Sequence, residues 1–163
     1  VSEQVEVLDE RGKVVDVVRR DTMRAKNLRH RCVYVAVLNG DALLVHQRAD
    51  WKDVWPSRWD IAFGGVCAVG ERWTEAAIRE LAEEAGVEVC EAELLDMGDG
   101  WYDSDEVRVV GRVYAVQHAG PFSHPDGEVQ QTQWIRMIDL ESWLGSHEVC
   151  DDSVELVVPR LLG

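Results

Sequence analysis

Between Thr74 and Ala85 the residues Ala77, Ile78, Leu81 and Ala85 recur at helical spacing, and Gly86 follows where a helix would stop. The same stretch is crowded with acid. At 3.6 residues per turn Glu80 and Glu84 stand four apart with Glu83 between them, so three carboxylates share one face opposite Ile78, Leu81 and Ala85. Like charges at that spacing destabilise an isolated helix by roughly 0.2–0.5 kcal/mol per pair. The segment therefore needs a core against one face and positive charge on the other. Arg79 offers part of that charge through Glu83 or Glu75, each four residues away. Mg²⁺ offers more, because it takes oxygen ligands and commonly binds one or two carboxylates together with substrate phosphates. The plain alternative is a solvated charged face. For Glu71 the plain alternative is a helix-start charge answering the macrodipole.

Around this helix the chain reads mainly as strand. Val5, Val7, then Asp9-Glu10-Arg11-Gly12, then Val14 to Val18 describe an N-terminal β-hairpin. Cys32 to Leu38 and Ala42 to His46 are β-branched core strands separated by Asn39-Gly40-Asp41, a strong hairpin signal. Residues 48–60 carry Trp51, Trp55 and Trp59 among charges, which predicts a structured loop anchored on the body. Strands are expected at Glu93 to Asp96, Val107 to Gln117 and Thr132 to Met137, with a Pro/Gly/His loop over 118–127 and a last helix near Asp152. The class is α+β or mixed α/β, with helices packed on a mixed sheet. A chain of 163 residues, 46% of them hydrophobic, suits one domain over 1–163.

Charge narrows the partners. With 17 Lys and Arg against 31 Asp and Glu, the net charge is −14, so nucleic acid and anionic membranes are not expected partners. An anionic substrate would need local cations or a metal. No apolar stretch approaches the roughly 20 residues needed to span a bilayer. Cys32, Cys67, Cys90 and Cys150 show no paired spacing and read as reduced thiols, three of them small buried hydrophobes, in a cytoplasmic protein.

The segment 65–87 resembles the Nudix box: Gly65, five residues, Glu71, seven residues, Arg79-Glu80, an aliphatic, one residue, Glu83-Glu84, one residue, Gly86 and an aliphatic. At about 7% or less per fixed residue, a chance match is on the order of 10⁻⁸ per position, so coincidence is set aside. The resemblance implies a Nudix fold, a mixed β-sheet sandwiched between α-helices, here with residues 1–28 as a hairpin extension. It implies a Mg²⁺-dependent hydrolase, with Mn²⁺ as a substitute, cleaving a diphosphate linkage in a nucleoside diphosphate derivative or related small metabolite. Glu80, Glu83 and Glu84 would hold the metal and Arg79 would orient them. A further carboxylate would act as ligand or general base, with Glu128 chosen and Glu80 its rival. Gly64, Gly65 and Arg48 are the substrate-binding candidates, the glycine pair because it lets backbone approach a pyrophosphate. A homodimer is a family-level expectation.

Outside the box, the hairpin, Leu28-Arg29-His30-Arg31, Gln47-Arg48 and Trp59-Asp60 resemble the Nudix branch of isopentenyl diphosphate isomerase. There a Cys-Gly-His triplet supplies a thiol and a metal-binding imidazole. Here the matching place reads Gly64-Gly65-Val66, and Cys67, three positions past the thiol site, would face the other side of the sheet. Hydrolysis is expected over isomerisation, and over a catalytically silent nucleotide-binding module, which need not retain a full set of metal carboxylates. His30 reads as a packing residue rather than a ligand. Trp51, Trp55, Trp101 and Trp134 could stack on a base, with core or loop anchoring as the plainer role.

Overall fold

A computed structural model describes residues 3–163, so the first two residues of the expected 1–28 extension lie outside it. The chain opens with the expected hairpin, β1 (Gln4–Leu8) and β2 (Val14–Arg19), which forms its own two-stranded antiparallel sheet. Its turn is tied by Asp9, whose Oδ1 accepts the N–H groups of Arg11 and Lys13 at 2.8 and 2.9 Å. The extension is more than a hairpin. A short helix, α1 (Arg20–Ala25), follows directly and drops Met23 into a small core with Val5 and Val66. With Met23 its only buried residue, the helix gives no periodicity from which to foresee it.

The main sheet is built on β3 (His30–Asn39), which alternates between two buried faces. Val33, Val35 and Val37 point to one core, and Tyr34 and Ala36 to the other. A strand buried on both sides reads as a continuous apolar run, as Cys32 to Leu38 does. Three neighbours share its edges. β4 (Ala42–Arg48) pairs with only the end of β3, at Leu38 and Asn39, across the Asn-Gly turn. β6 (Phe63–Val66) takes the first half of the same edge, antiparallel, from Cys32 to Val35. β8 (Arg108–Gln117) runs parallel along the other edge. With β5 (Trp59–Asp60), β7 (Leu95–Asp103) and β9 (Val129–Arg136), the mixed sheet has seven strands.

Helices cover both faces. α2 (Trp73–Glu80) packs Ala76 and Ala77 on one core, and α3 (Leu140–Ser146) and α4 (Asp151–Leu156) pack Leu140, Trp143 and Leu156 on the other. A terminal α5 (Val158–Leu162) follows.

Several boundaries differ from the sequence reading. The strand expected over Glu93 to Asp96 begins at Leu95, after a 3₁₀ turn at Glu91–Glu93, and continues to Asp103. It is a largely exposed edge strand, and Gly98 and Gly100 interrupt any alternation. β9 starts at Val129, earlier than Thr132, because its solvent-facing polar residues hide the strand. β6 carries two glycines and α3 ends on Gly145-Ser146, and neither was expected as an element. In the loop 49–58, Trp51 is 60% exposed, with the Lys52 ammonium 5.9 Å from its ring, and is not buried against the body as expected. Trp59 does anchor, meeting Trp143 edge-on at 5.7 Å.

Candidate active site

α2 starts cleanly: Glu75 Oε1 accepts the Arg72 N–H at 2.9 Å, which satisfies a donor the first turn cannot. It does not continue to Ala85 as one α-helix. From Leu81 to Ala85 it widens into a π turn, closed by Gly86 at φ +67°. The three glutamates are accordingly divided. Glu80 and Glu84 are buried, 7% and 6% exposed, while the Glu83 side chain is 48% exposed at the rim. Ile78, expected on the apolar stripe, is only half-buried.

Arg79 is the hub of the site. Its guanidinium donates to Glu71 at 2.8 and 3.0 Å, to Glu80 at 2.9 Å, to Glu83 at 3.2 Å and to the Val66 carbonyl at 3.1 Å. Glu75, the other partner expected for it, is spent on Arg72. The hydrogen bond from Arg79 holds the Glu71 carboxyl below its usual range, so Glu71 acts as the fixed end of the hub. Burial pushes Glu80 the other way, and the Arg79 charge only partly offsets it. Glu84 rises well above the ordinary range through burial and then the charges of Glu80 and Glu128. Among the described residues Glu84 has no ion-pair partner.

The glycine pair explains how Glu80 lies so deep. Both belong to β6; a Cβ on Gly64 would overlap the Val33 carbonyl, and one on Gly65 would stand 2.6 Å from Glu80 Oε1. They serve close approach within a strand rather than flexibility.

A second segment closes the site. The Ser123 N–H donates to the Ala85 carbonyl at 3.0 Å, His124 Nδ1 meets the Glu84 carbonyl at 2.6 Å, and the Asp126 N–H reaches the Glu83 carbonyl at 3.3 Å. These are carbonyls that a helix end leaves unpaired. The loop thereby carries Asp126 and Glu128 to the acidic helix. Glu128 pairs with Lys52 at 2.6 Å. Burial opposes its charge, but the hydrogen bond with Asp126 and the Lys52 ammonium outweigh burial and bring it below its usual range. Asp126 is pushed up to about 7 by burial and by Glu128.

A polar cavity of about 350 Å³ lies over Gly64, Gly65, Glu80, Glu83 and Glu128. A second, of about 70 Å³, lies behind the glycine strand; Glu84 and Arg48 line it, and Arg20, Lys52, Gly64 and Gly65 belong to both. Arg48, read from sequence as a substrate residue, donates through Nε and Nη2 to the Val54 carbonyl at 3.2 and 2.9 Å. Lys52, Asp126, Arg20, Asp60 and Asp152 were not singled out in the sequence. They are isolated charges in loops, at helix starts and, for Asp60, in the two-residue strand β5, with no spacing that relates them.

Among the described residues, no three His, Cys, Asp or Glu side chains converge tightly enough to enclose an ion. The donor set nevertheless suits a hard cation: its oxygens all come from carboxyl groups, and Glu84 is a buried carboxyl with no ion-pair partner among the described residues. The remaining sequence candidates are mostly structural. His30 is buried with Nδ1 on the Leu28 carbonyl at 2.9 Å. All four cysteines are free, Cys67 and Cys150 buried, Cys32 half-buried and Cys90 exposed. Cys67 packs in the helix-side core, away from the cavity. Trp101 lies under Arg29, Trp134 against Phe122, and only Trp55 of the four stacking candidates lines the smaller cavity. No described helix is long and apolar enough to cross a membrane.

A helix–sheet–helix sandwich with a glycine-backed acidic helix defines the class of the Nudix hydrolases, enzymes of the pyrophosphohydrolase type. The NUDIX domain model matches residues 28–152, and the chain belongs to that family. It is 33% identical over 136 residues, 83% of this chain and 74% of the other, to an uncharacterized Nudix hydrolase of Yersinia pestis. Its fold is similar to that of DR0079 from Deinococcus radiodurans, with a TM-score of 0.81 at 21% identity over 99% of this chain and all of the other. It is also similar, at a TM-score of 0.63 and 14% identity over 80% and 84% of the two chains, to the NUDIX domain of Shewanella oneidensis NrtR complexed with ADP ribose.

Proposed function

We propose that this chain is a Mg²⁺-dependent hydrolase of a small diphosphate metabolite, of the nucleoside diphosphate class, with Mn²⁺ able to substitute. The observation that carries the reading is the buried, unpaired Glu84 beside Glu80, seated against a strand whose glycine leaves room for the carboxylate. Glu80, Glu83 and Glu84 would hold the metal, which when bound neutralises the diphosphate and acidifies water. Arg79, fixed by Glu71, holds Glu80 and Glu83 in position. Glu128, kept ionised by Lys52 and Asp126, takes the proton of the attacking water on its carboxylate, with Glu80 the alternative base. Gly64, Gly65 and Arg48 meet the substrate, the glycines through backbone and Arg48 through its charge. The ADP ribose held by the NrtR domain supports the substrate class. The chain works as a single unit, 1–163, in the cytoplasm, as monomer or homodimer.

Isomerisation is the weaker reading, because β6 brings neither thiol nor imidazole to the cavity and the Cys32 thiol that does line it is pushed up by burial, hence protonated. The test is turnover of nucleotide sugars, dinucleotides, nucleoside triphosphates and prenyl diphosphates with Mg²⁺, with Mn²⁺ and with chelator. Metal-dependent release of a monophosphate from a nucleoside diphosphate derivative is expected. Turnover unchanged by chelator, or isomerisation of a prenyl diphosphate without cleavage, would overturn the proposal.

A further inference from the structure

The smaller cavity behind β6 has a chemistry of its own. Its floor carries Asp60 and Asp152, brought together from β5 and α4. Asp60 is buried, and its Oδ1 accepts the N–H groups of Ile61 and Ala62 at 2.8 and 3.3 Å. Asp152 accepts the Tyr34 hydroxyl at 2.8 Å and its neighbour's N–H, from Ser153, at 2.8 Å. His30 lines the same cavity and is 1% exposed. Its Nδ1 faces a carbonyl, which can only accept, so Nδ1 bears the proton and Nε2 the lone pair. Among the described residues that Nε2 has no hydrogen-bond partner. Burial lowers the imidazole to about 4, so it is neutral at physiological pH. Burial and the Asp60 charge push Asp152 up to about 6, leaving it mostly ionised there.

The cations on these walls are engaged elsewhere: Arg48 gives two hydrogen bonds to the Val54 carbonyl, Arg24 is bound to Asp53, Arg20 to Glu3 and Lys52 to Glu128, whereas His30 Nε2 is left without a partner among the described residues. The volume of about 70 Å³ holds roughly five waters at about 10–15 Å³ each. That is the scale of one five- or six-membered ring. Because both cavities share Arg20, Lys52, Gly64 and Gly65, a diphosphate lying at that common wall would extend its organic part into this space.

We infer that the smaller cavity selects substrates whose organic part begins with a single ring rich in hydrogen-bond donors, with Asp60, Asp152 and His30 Nε2 as the acceptors that read it. This rests on the hydrolase reading above for the position of the diphosphate. A prenyl chain would leave buried acceptors unpaired, and a site built to bond a donor rejects an analogue lacking it by up to about 10⁴–10⁵-fold. The donors come either from pentose hydroxyls or from a pyrimidine ring.

The test is calorimetric binding of ribose 5-phosphate, uridine monophosphate, adenosine monophosphate and isopentenyl monophosphate to the whole protein without metal. Either single-ring ligand is expected to bind at least about 100-fold more tightly than isopentenyl monophosphate. Ribose 5-phosphate equal to uridine monophosphate assigns the cavity to the pentose, and a strong preference for the nucleotide over both others assigns it to the pyrimidine. Asp60→Asn and Asp152→Asn should each weaken the preferred ligand by 10-fold or more while leaving isopentenyl monophosphate unchanged, with melting curves confirming the fold. Equal binding of isopentenyl monophosphate, or no binding of either single-ring ligand at millimolar concentration, overturns the inference even if both variants fail to fold. A binding preference of the expected kind in a protein that hydrolyses no diphosphate would sink the hydrolase reading and leave the acceptor cavity standing.

Discussion

Two groups of carboxylates stand on either side of the glycine strand β6, and they are stabilised by opposite means. Around α2, Glu71, Glu80 and Glu83 are gathered by one guanidinium, and Glu128 by one ammonium. Behind β6, Asp60 and Asp152 are held by neutral donors, backbone N–H groups and the Tyr34 hydroxyl. A carboxylate gathered by a cationic side chain can trade that cation for another one. A carboxylate fixed by amides and a phenol keeps its geometry and offers its remaining lone pairs. The first group suits a metal, the second a ligand's hydroxyl or N–H.

The contrast can be broken most forcefully at Glu84. Glu84→Gln keeps the shape and removes an ionisable carboxyl whose charged form burial disfavours, so kcat should fall by about 10³-fold or more, roughly 4 kcal/mol, with the melting temperature held or raised. Near-normal turnover in steady-state assays would end the metal assignment. The neutral side of the strand is next. His30 is held unprotonated in the fold but takes a proton near pH 6.5 when unfolded. Its contribution is therefore complete above pH 6.5 and is lost as pH falls toward 4, on the order of 3 kcal/mol. Denaturant titrations at pH 7.5 and 4.5, with the imidazole followed by NMR, measure it; an imidazole titrating near 6.5 would refute it.

The two glycines sharpen the comparison further. Gly64→Ala meets backbone and should destabilise by about 2–3 kcal/mol, whereas Gly65→Ala meets only the Glu80 carboxylate and should spare stability while lowering kcat. Thermal melts and turnover of the pair decide whether the strand divides structure from chemistry in this way. The smallest effect belongs to Tyr34→Phe, which removes one donor from Asp152 and should cost about 1–2 kcal/mol in urea unfolding. No change would mean that water replaces the phenol.

How legible each side was in sequence follows from how it is made. The acidic helix, its glycine stop and the core strands β3 and β4 are local patterns, and the glutamates, Arg79, Gly64, Gly65 and Glu128 could all be picked out before any fold was known. The division of the glutamates could not, since nothing in the spacing of Ala77, Leu81 and Ala85 announces the π turn over 81–85 or says how deep each carboxyl lies. The cavity behind β6 was almost wholly hidden. Arg20, Lys52, Asp60 and Asp152 come from four separate segments, and only the pairing of β3 with β6 and the return of α4 to the sheet unite them. α1 and α3 were hidden for another reason: each is a short helix held by a few buried side chains rather than by a full amphipathic stripe.

The bonds from 123–126 to the carbonyls of 83–85 also bear on how the protein reaches its working form. Those partners are some forty residues apart along the chain, so a substantial loop must close before the last turn of the acidic helix finds its partners. During refolding, competence to cleave should lag behind helix content and arrive together with amide protection in both segments. Until that clasp is made, Asp126 and Glu128 are not held beside the acidic helix.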